Sequence, residues 1–352
     1  MMSNKLTNNR IFGYYKPILI TLIICGYDYR FYQNNFYLKF ILKSYCVIIV
    51  SVVSYASITC CPPDSSQIWS LIEYVLSIMV ILLGKSQTES FMEKLTEVDS
   101  FLRINVRHYR HTKYRLIVFT IVTWLVRVAY TYMYCYTYKC HNIIVLFAIR
   151  EWSLLALDLN RVWRCILFDS IRYRLKILRI RLEENPDIDY YLYVKNCKSV
   201  KVNKLKFCLH IYRSIADIVD LISPELHASV NNTRLYMLAG LFVQEPMESL
   251  YYIVLHVLQI SLLLFTPFVA VEFYSVEVER IYILLCLLCK IIYFTDSKNK
   301  EDIEMFLKYT TVRTFKYKIF RIIPINIALP LELINICVNY VIIIINFTHL
   351  YG

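Results

Sequence analysis

The sequence predicts an all-α, polytopic membrane protein with seven transmembrane helices, a cytosolic N-terminus and an extracellular C-terminus. Three observations predict it. The run LPLELINICVNYVIIIINF, Leu329 to Phe347, is long enough to cross a hydrocarbon core, which is about 30 Å thick and takes roughly 20 mostly apolar helical residues. Comparable apolar blocks recur upstream and are long and continuous. Lipid admits only helices and closed barrels, and barrel strands would read as short alternating segments. Hydrophobic residues make up 58% of the 352 residues and charged residues 19%, below the roughly 25% charge of a soluble chain.

The elements follow in order. The patch ILITLIICGY near the N-terminus is short and leads into DYRFYQ, so it reads as an interfacial segment and not as a span or a cleaved signal. Span one is Phe36 to Thr59, with Lys39 and Lys43 near one end, where they can snorkel. The turn CCPPDSSQ leads to span two, Ile68 to Leu83. Span three runs from Tyr114 to Cys135, and span four begins near Asn142 and continues beyond Asn160 as a helix leaving the membrane. Span six is Tyr251 to Ala270, and span seven is the run already quoted. The segment Ile281 to Tyr293 is short for a span and contains Lys290, so it reads as a buried cytosolic helix or as the lower extension of span six.

Loop charge sets the orientation. The net charge is +12, and the cations gather before span one, after span two, after span four and in Lys308 to Arg321. The short turns CCPPDSSQ and YKCHN have almost none. The positive-inside rule puts the basic sections and the N-terminus in the cytosol. Parity then requires two crossings between Arg234 and Glu272, so RLYMLAGLFV with its polar flank is span five, and QEPMES is the outer turn. A re-entrant element is the other reading of that stretch.

The cations anchor a membrane protein, and no finger, arginine-rich tail or glycine-rich RNA signature points to nucleic acid. The 12 cysteines lack metal spacing and read mostly as small buried hydrophobes. A disulfide from Cys60 or Cys61 to Cys135 or Cys140 is open if both turns face outward. The sequence contains no HExxH, serine elbow, paired intramembrane aspartates or nucleotide loop, so no enzyme and no cofactor is expected. A seven-span G-protein-coupled receptor would have the opposite orientation, and no DRY-like triplet ends span three and no NPxxY lies in the last span. A secondary transporter would show an internal repeat, and none is visible.

The last helix carries Asn339-Tyr340, five apolar residues, then Asn346-Phe347. This resembles the C-terminal signature of insect gustatory receptors, Thr-Tyr, five apolar residues, Gln-Phe, with asparagines replacing the threonine and the glutamine. The chain length, the long basic helix after span four, the acidic VEFYSVEVERI after span six and FMEKLTEVDSFL after span two fit the same pattern. The resemblance implies a ligand-gated non-selective cation channel in the plasma membrane of a sensory neuron dendrite. It implies a homo- or hetero-tetramer with related receptors, surrounded by membrane lipid and opened by a small-molecule tastant, bitter or otherwise plant-derived. A metabotropic seven-span receptor is the alternative, and a transporter a more distant one. The implied division is 1–35 cytosolic or interfacial, 36–270 a peripheral ligand-binding bundle with a cytosolic extension at 160–227, 271–328 an anchor and 329–352 the pore helix with a short outer tail.

Candidate residues follow from chemistry within that frame. A channel needs an apolar constriction and polar groups that hydrate ions. Ile342 and Ile345 are gate candidates, Asn346 an outer polar ring, Asn339 a polar ring or interhelical hydrogen bond, and Glu332 a cation attractor or an interfacial ion-pair partner. Pro324 and Pro330 mark either a break before the pore half or the helix start. Charges inside a membrane face the bundle interior or water. Trp124, Arg127, Tyr130 and Tyr132 on span three, Arg150, Glu151, Trp152 and Asp158 on span four, and His256 and Gln259 on span six are therefore ligand-contact or structural-pair candidates. Arg150 and Glu151 cannot share one narrow face, so one of them is expected to pair with Arg127 or with another helix. Glu245 and Glu248 would flank the pocket entrance.

Overall fold

The computed structural model describes residues 2–27, 36–59, 65–83, 87–104, 106–137, 144–183, 190–193, 199–202, 204–221, 250–292, 297–313, 318–319 and 323–324, with helical positions 335, 339 and 342. The helices are α1 (Met2–Ile24), α2 (Phe36–Thr59), α3 (Ser65–Leu83), α4 (Gln87–Leu102), α5 (Val106–Thr137), α6 (Ile144–Glu183), α7 (204–221), α8 (Leu250–Ile292) and α9 (Ser297–Val312). Two antiparallel hairpins complete the described elements. In one, β1 (Tyr190–Tyr193) pairs with β2 (Ser199–Val202), Tyr190 opposite Val202; in the other, β3 (Lys318–Ile319) pairs with β4 (Ile323–Pro324). Pro324 therefore lies in a strand ahead of the last helix and does not start it.

The bundle is inverted in polarity. On α2, Phe40, Ile41, Val47, Ile48, Val52, Tyr55 and Ile58 are exposed; on α5, Val118, Phe119, Ile121, Val122, Leu125 and Val128 are exposed. Glu73, Arg127, Glu151, Asp158 and Arg161 are buried. In water this arrangement would be penalised twice, by apolar exposure and by charge desolvation. In lipid the apolar faces meet hydrocarbon, and the charges belong inside. Among the described residues, Phe40–Thr59 and Lys113–Met133 are long and apolar enough to cross a membrane.

Helix α6 is the axis of the fold. Leu155 through Trp163 are all buried, and α6 packs against α1, α2, α3, α4, α5 and α8. At 40 and 43 residues, α6 and α8 run about 60 Å each at 1.5 Å per residue, twice the hydrocarbon thickness. Ile281 to Ile292 thus continues span six without a break, the second of the two readings of that segment. The overhanging ends of α6 and α8 are joined by α4, α7 and α9. Phe101 meets Phe207 edge-on, and Tyr212 meets Phe306 and Tyr309. Arg313 pairs with Asp217 at 2.9 Å and with Asp220, and Lys206 pairs with Asp302.

The N-terminal apolar patch does more than lie at an interface. Tyr15, Ile18, Leu19 and Leu22 are buried, and α1 packs against α4, α5 and α6. The helix ends inside the bundle. Gly26, at φ +91°, donates to Ile23 O, and Tyr27 donates to Leu22 O. This is a Schellman cap, in which glycine takes the left-handed position without a Cβ penalty. Two phenols satisfy the last carbonyls: Tyr45 donates to Ile24 O at 2.8 Å and Tyr74 to Cys25 O at 2.8 Å. Removing one buried donor strands its acceptor, so Tyr74→Phe is expected to cost about 1–3 kcal/mol. A lowered melting temperature in detergent, with α1 becoming accessible to protease, checks it.

The expected fifth span and its QEPMES turn lie outside the described residues, as do Cys60, Cys61 and Cys140. Cys135 is buried.

Candidate functional site

Among the described residues, three carboxylates and two guanidiniums meet where α3, α5 and α6 converge. Asp158, 0% exposed, is at the centre. Arg127 Nε donates to Asp158 Oδ2 at 2.6 Å, and its Nη2 lies 2.6 Å from the same oxygen. Arg161 Nη1 donates to Asp158 Oδ1 at 3.4 Å, while its Nη2 reaches both oxygens of Glu73 at 3.0 and 3.3 Å. Arg127 Nη1 lies 3.7 Å from Glu151 Oε2, close enough for Coulomb attraction but beyond a direct hydrogen bond. Each arginine thus bridges two acids, and all of these pairs but Asp158–Arg161 join two helices.

The local sequence explains the placement. Glu73 interrupts the apolar run of α3, so its face must turn inward. Asp158 and Arg161 are three residues apart on α6 and share one face. Glu151 lies seven residues before Asp158, two turns away on the same face. Arg127 comes in from α5 between them. Beside this cluster Trp124 and Trp152 pack edge to face, centroids 5.7 Å apart and planes at 77°, and both are partly buried against the core. The indole Nε1 of Trp152 is itself buried and has no hydrogen-bond partner among the described residues. The pair offers an aromatic wall with one inward-facing donor beside a charged floor, the mixture suited to a small molecule with a flat apolar body and a polar group.

The structure thus brings together Trp124, Arg127, Glu151 and Trp152 of the expected pocket residues. Of the two neighbours Arg150 and Glu151, it is Glu151 that faces Arg127. Tyr130 lies on α5, Arg150 on α6, and His256 and Gln259 on α8; their side chains lie outside the described residues. Tyr132 is exposed on the outer surface of α5 and is not part of the cluster. Glu245, Glu248, Glu332, Ile345 and Asn346 are also outside the described residues. Glu73 and Arg161 were missed by sequence reasoning, although a lone acid inside span two and an arginine one turn beyond Asp158 both demand a partner. In the last helix, Asn339 and Ile342 are helical and exposed, and so is Asn335, whose Oδ1 lies 3.5 Å from Asn339 Nδ2.

A second buried cluster lies about a dozen residues further along α6. Arg174 is bidentate on Asp99 of α4, Nη2 to Oδ2 and Nε to Oδ1 both at 2.7 Å. It also donates to Ser170 O and Oγ, and Ser170 shares a 2.9 Å hydrogen bond with Tyr15 of α1. Burial pushes the Asp99 carboxyl above the ordinary range, against the lowering pull of Arg174. A third, half-exposed, joins Arg179 to Glu277 of α8 and to Glu183. Among the described residues, no group of three or more His, Cys, Asp or Glu side chains is placed to hold a metal ion.

No protein-family profile matches the sequence, and no curated protein matches it. Solved structures do match in shape. The insect olfactory receptor OR5 from Machilis hrabei superposes with a TM-score of 0.64 at 11% identity, over 96% of this chain and 98% of that one. The same receptor in complex with eugenol superposes with a TM-score of 0.65 at 11% identity, over 97% and 99%. Across nearly its whole length, this chain has the all-α, polytopic fold of an insect olfactory receptor.

Proposed function

We propose that the protein is a chemosensory receptor of the gustatory type, working as a ligand-gated, non-selective cation channel in the plasma membrane of a sensory neuron dendrite and opened by a bitter or other plant-derived small molecule. The observation that carries this reading is the shared fold over nearly the full length of both chains. The Asn339-Tyr340 and Asn346-Phe347 spacing supports the gustatory branch. In this reading the bundle around Trp124 and Trp152 takes the ligand, the overhanging ends of α6 and α8 with α4, α7 and α9 form the cytosolic anchor, and copies of the chain or of related receptors assemble as a tetramer around the last helices. The chain acts by binding and opening, not by catalysis.

Whole-cell recording from cells expressing the chain, across alkaloids, sugars, amino acids and eugenol, tests it. The expected result is an evoked cation current, with Trp152→Ala raising the half-maximal concentration about tenfold or more through lost aromatic contact. Surface-delivered protein that evokes only a G-protein-dependent response, or that takes up ligand without current, would overturn the channel reading.

A further inference from the structure

Helix α9 closes on Lys308-Tyr309-Thr310-Thr311-Val312-Arg313, and its two threonines differ. Thr310 is buried, and its hydroxyl donates to Leu307 O at 2.8 Å. Thr311 is exposed, and its hydroxyl donates to the carbonyls of Leu307 and Lys308 in its own helix, at 3.1 and 2.9 Å. Lys308 and Val312 are exposed, and Arg313 is half-buried. Thr311 thus presents a hydroxyl with a cation three residues before it, an exposed apolar residue directly after it and a cation two residues after it. The sequence has no carboxylate between Glu304 and Glu332 to cancel that charge. Serine/threonine kinases of the basophilic class choose substrates by charge pattern, setting acidic pockets against cations at such offsets. Thr311 also lies in a terminal turn, where helices open locally at least cost.

We propose that Thr311 is a phosphorylation site for a basophilic serine/threonine kinase, and that its modification releases α9 from α7. The Thr311 oxygen bonds to the γ-phosphorus of ATP, the bond from that phosphorus to the bridging oxygen breaks, and ADP leaves. The hydroxyl proton passes to the catalytic carboxylate of the kinase. Arg313 is contested in this exchange. It holds α7 through Asp217 at 2.9 Å and through Asp220. The kinase has to draw it away to read it, and the phosphate, with nearly two negative charges, competes for it afterwards. The ester oxygen no longer donates to Leu307 and Lys308, and a negative charge in the last turn opposes the helix dipole. All of these effects loosen the same turn. The proposal goes beyond the receptor reading and rests on it at one point, the cytosolic placement of α9, where ATP and kinases are.

The test uses membrane vesicles carrying the full chain, right-side-out and inside-out, incubated with ATP and the catalytic domain of protein kinase C. The phosphate is mapped by peptide mass spectrometry. Phosphate on Thr311 in inside-out vesicles alone, with Thr310 unmodified, is expected. Phosphate on neither threonine in either preparation, or on Thr310 as readily as on Thr311, overturns the proposal. Phosphate on Thr311 in right-side-out vesicles alone keeps the site and overturns the cytosolic placement that belongs to the receptor reading. Asp217→Asn with Asp220→Asn is expected to speed the modification about two- to fivefold, which is what an exposed ion pair is worth. Asp220→Asn alone serves if the double variant does not fold. In the phosphorylated chain, the amides of residues 306–313 are expected to exchange faster with solvent. A rate indifferent to these substitutions, with exchange unchanged, overturns the release of α9 from α7.

Discussion

Asp158→Asn is expected to destabilise the bundle by about 3–5 kcal/mol, the cost of breaking a buried ion pair from one side. Asp158 takes hydrogen bonds from Arg127 and Arg161 on its two oxygens, so the isosteric amide leaves two guanidiniums sharing Glu73 and Glu151. The amide also presents N–H groups to cationic donors. The variant should fail to reach the cell surface, and purified protein should melt at a lower temperature. Adding Arg127→Met removes one stranded cation and should recover part of the loss. Glu151→Gln should cost less than Asp158→Asn, because its contact with Arg127 is 3.7 Å. Equal losses for Glu151→Gln and Asp158→Asn would show that charge count, and not hydrogen-bond geometry, holds the cluster.

Arg174→Met should cost a similar about 3–5 kcal/mol at neutral pH, with a pH signature of its own. Asp99 would lose the cation that opposes its desolvation. Its folded-state pKa, already raised, rises further above the unfolded value. The folded state then binds the proton more tightly than the unfolded state, so the variant is stabilised at low pH and loses stability as pH rises through the folded pKa. The defect should therefore shrink in acid, as read by melting temperature against pH. Asp99→Leu with Arg174→Met should return stability near the parental value, since apolar replacement of a whole buried pair is often neutral or better. A deficit independent of pH would mean that Arg174 matters through Ser170 and Tyr15.

These two clusters show what the sequence disclosed and what it withheld. Apolar runs disclosed helices, and α2 starts and ends at the residues its run predicts, because polar turns bound it. The long basic helix expected after span four is the second half of α6, which runs unbroken to Glu183. Nothing local, however, says that Arg174 is buried while Lys176 is exposed: the partner that decides it, Asp99, is 75 residues away. The same distance problem hid Glu73, which is 88 residues from Arg161. Contacts between consecutive helices were easier, as with Arg127 and the two tryptophans, which join α5 to α6. The role of α1 was withheld for a different reason. Its apolar run is too short to span, and only the enclosing phenols of Tyr45 and Tyr74 make it tolerable for a helix to end inside the bundle.

Helix α6 is tied to its neighbours at three heights: by Asp158 and Arg161, by Arg174, and by Arg179. Each tie has a fixed azimuth on the helix. One residue inserted between Arg161 and Arg174 would turn the lower ties about 100° away from Asp99 and Glu277 while the upper ones stayed in register. An insertion there is expected to break the lower ties, whereas one in a connection or hairpin leaves all three heights in register, so α6 acts as a ruler whose divisions are fixed by its length.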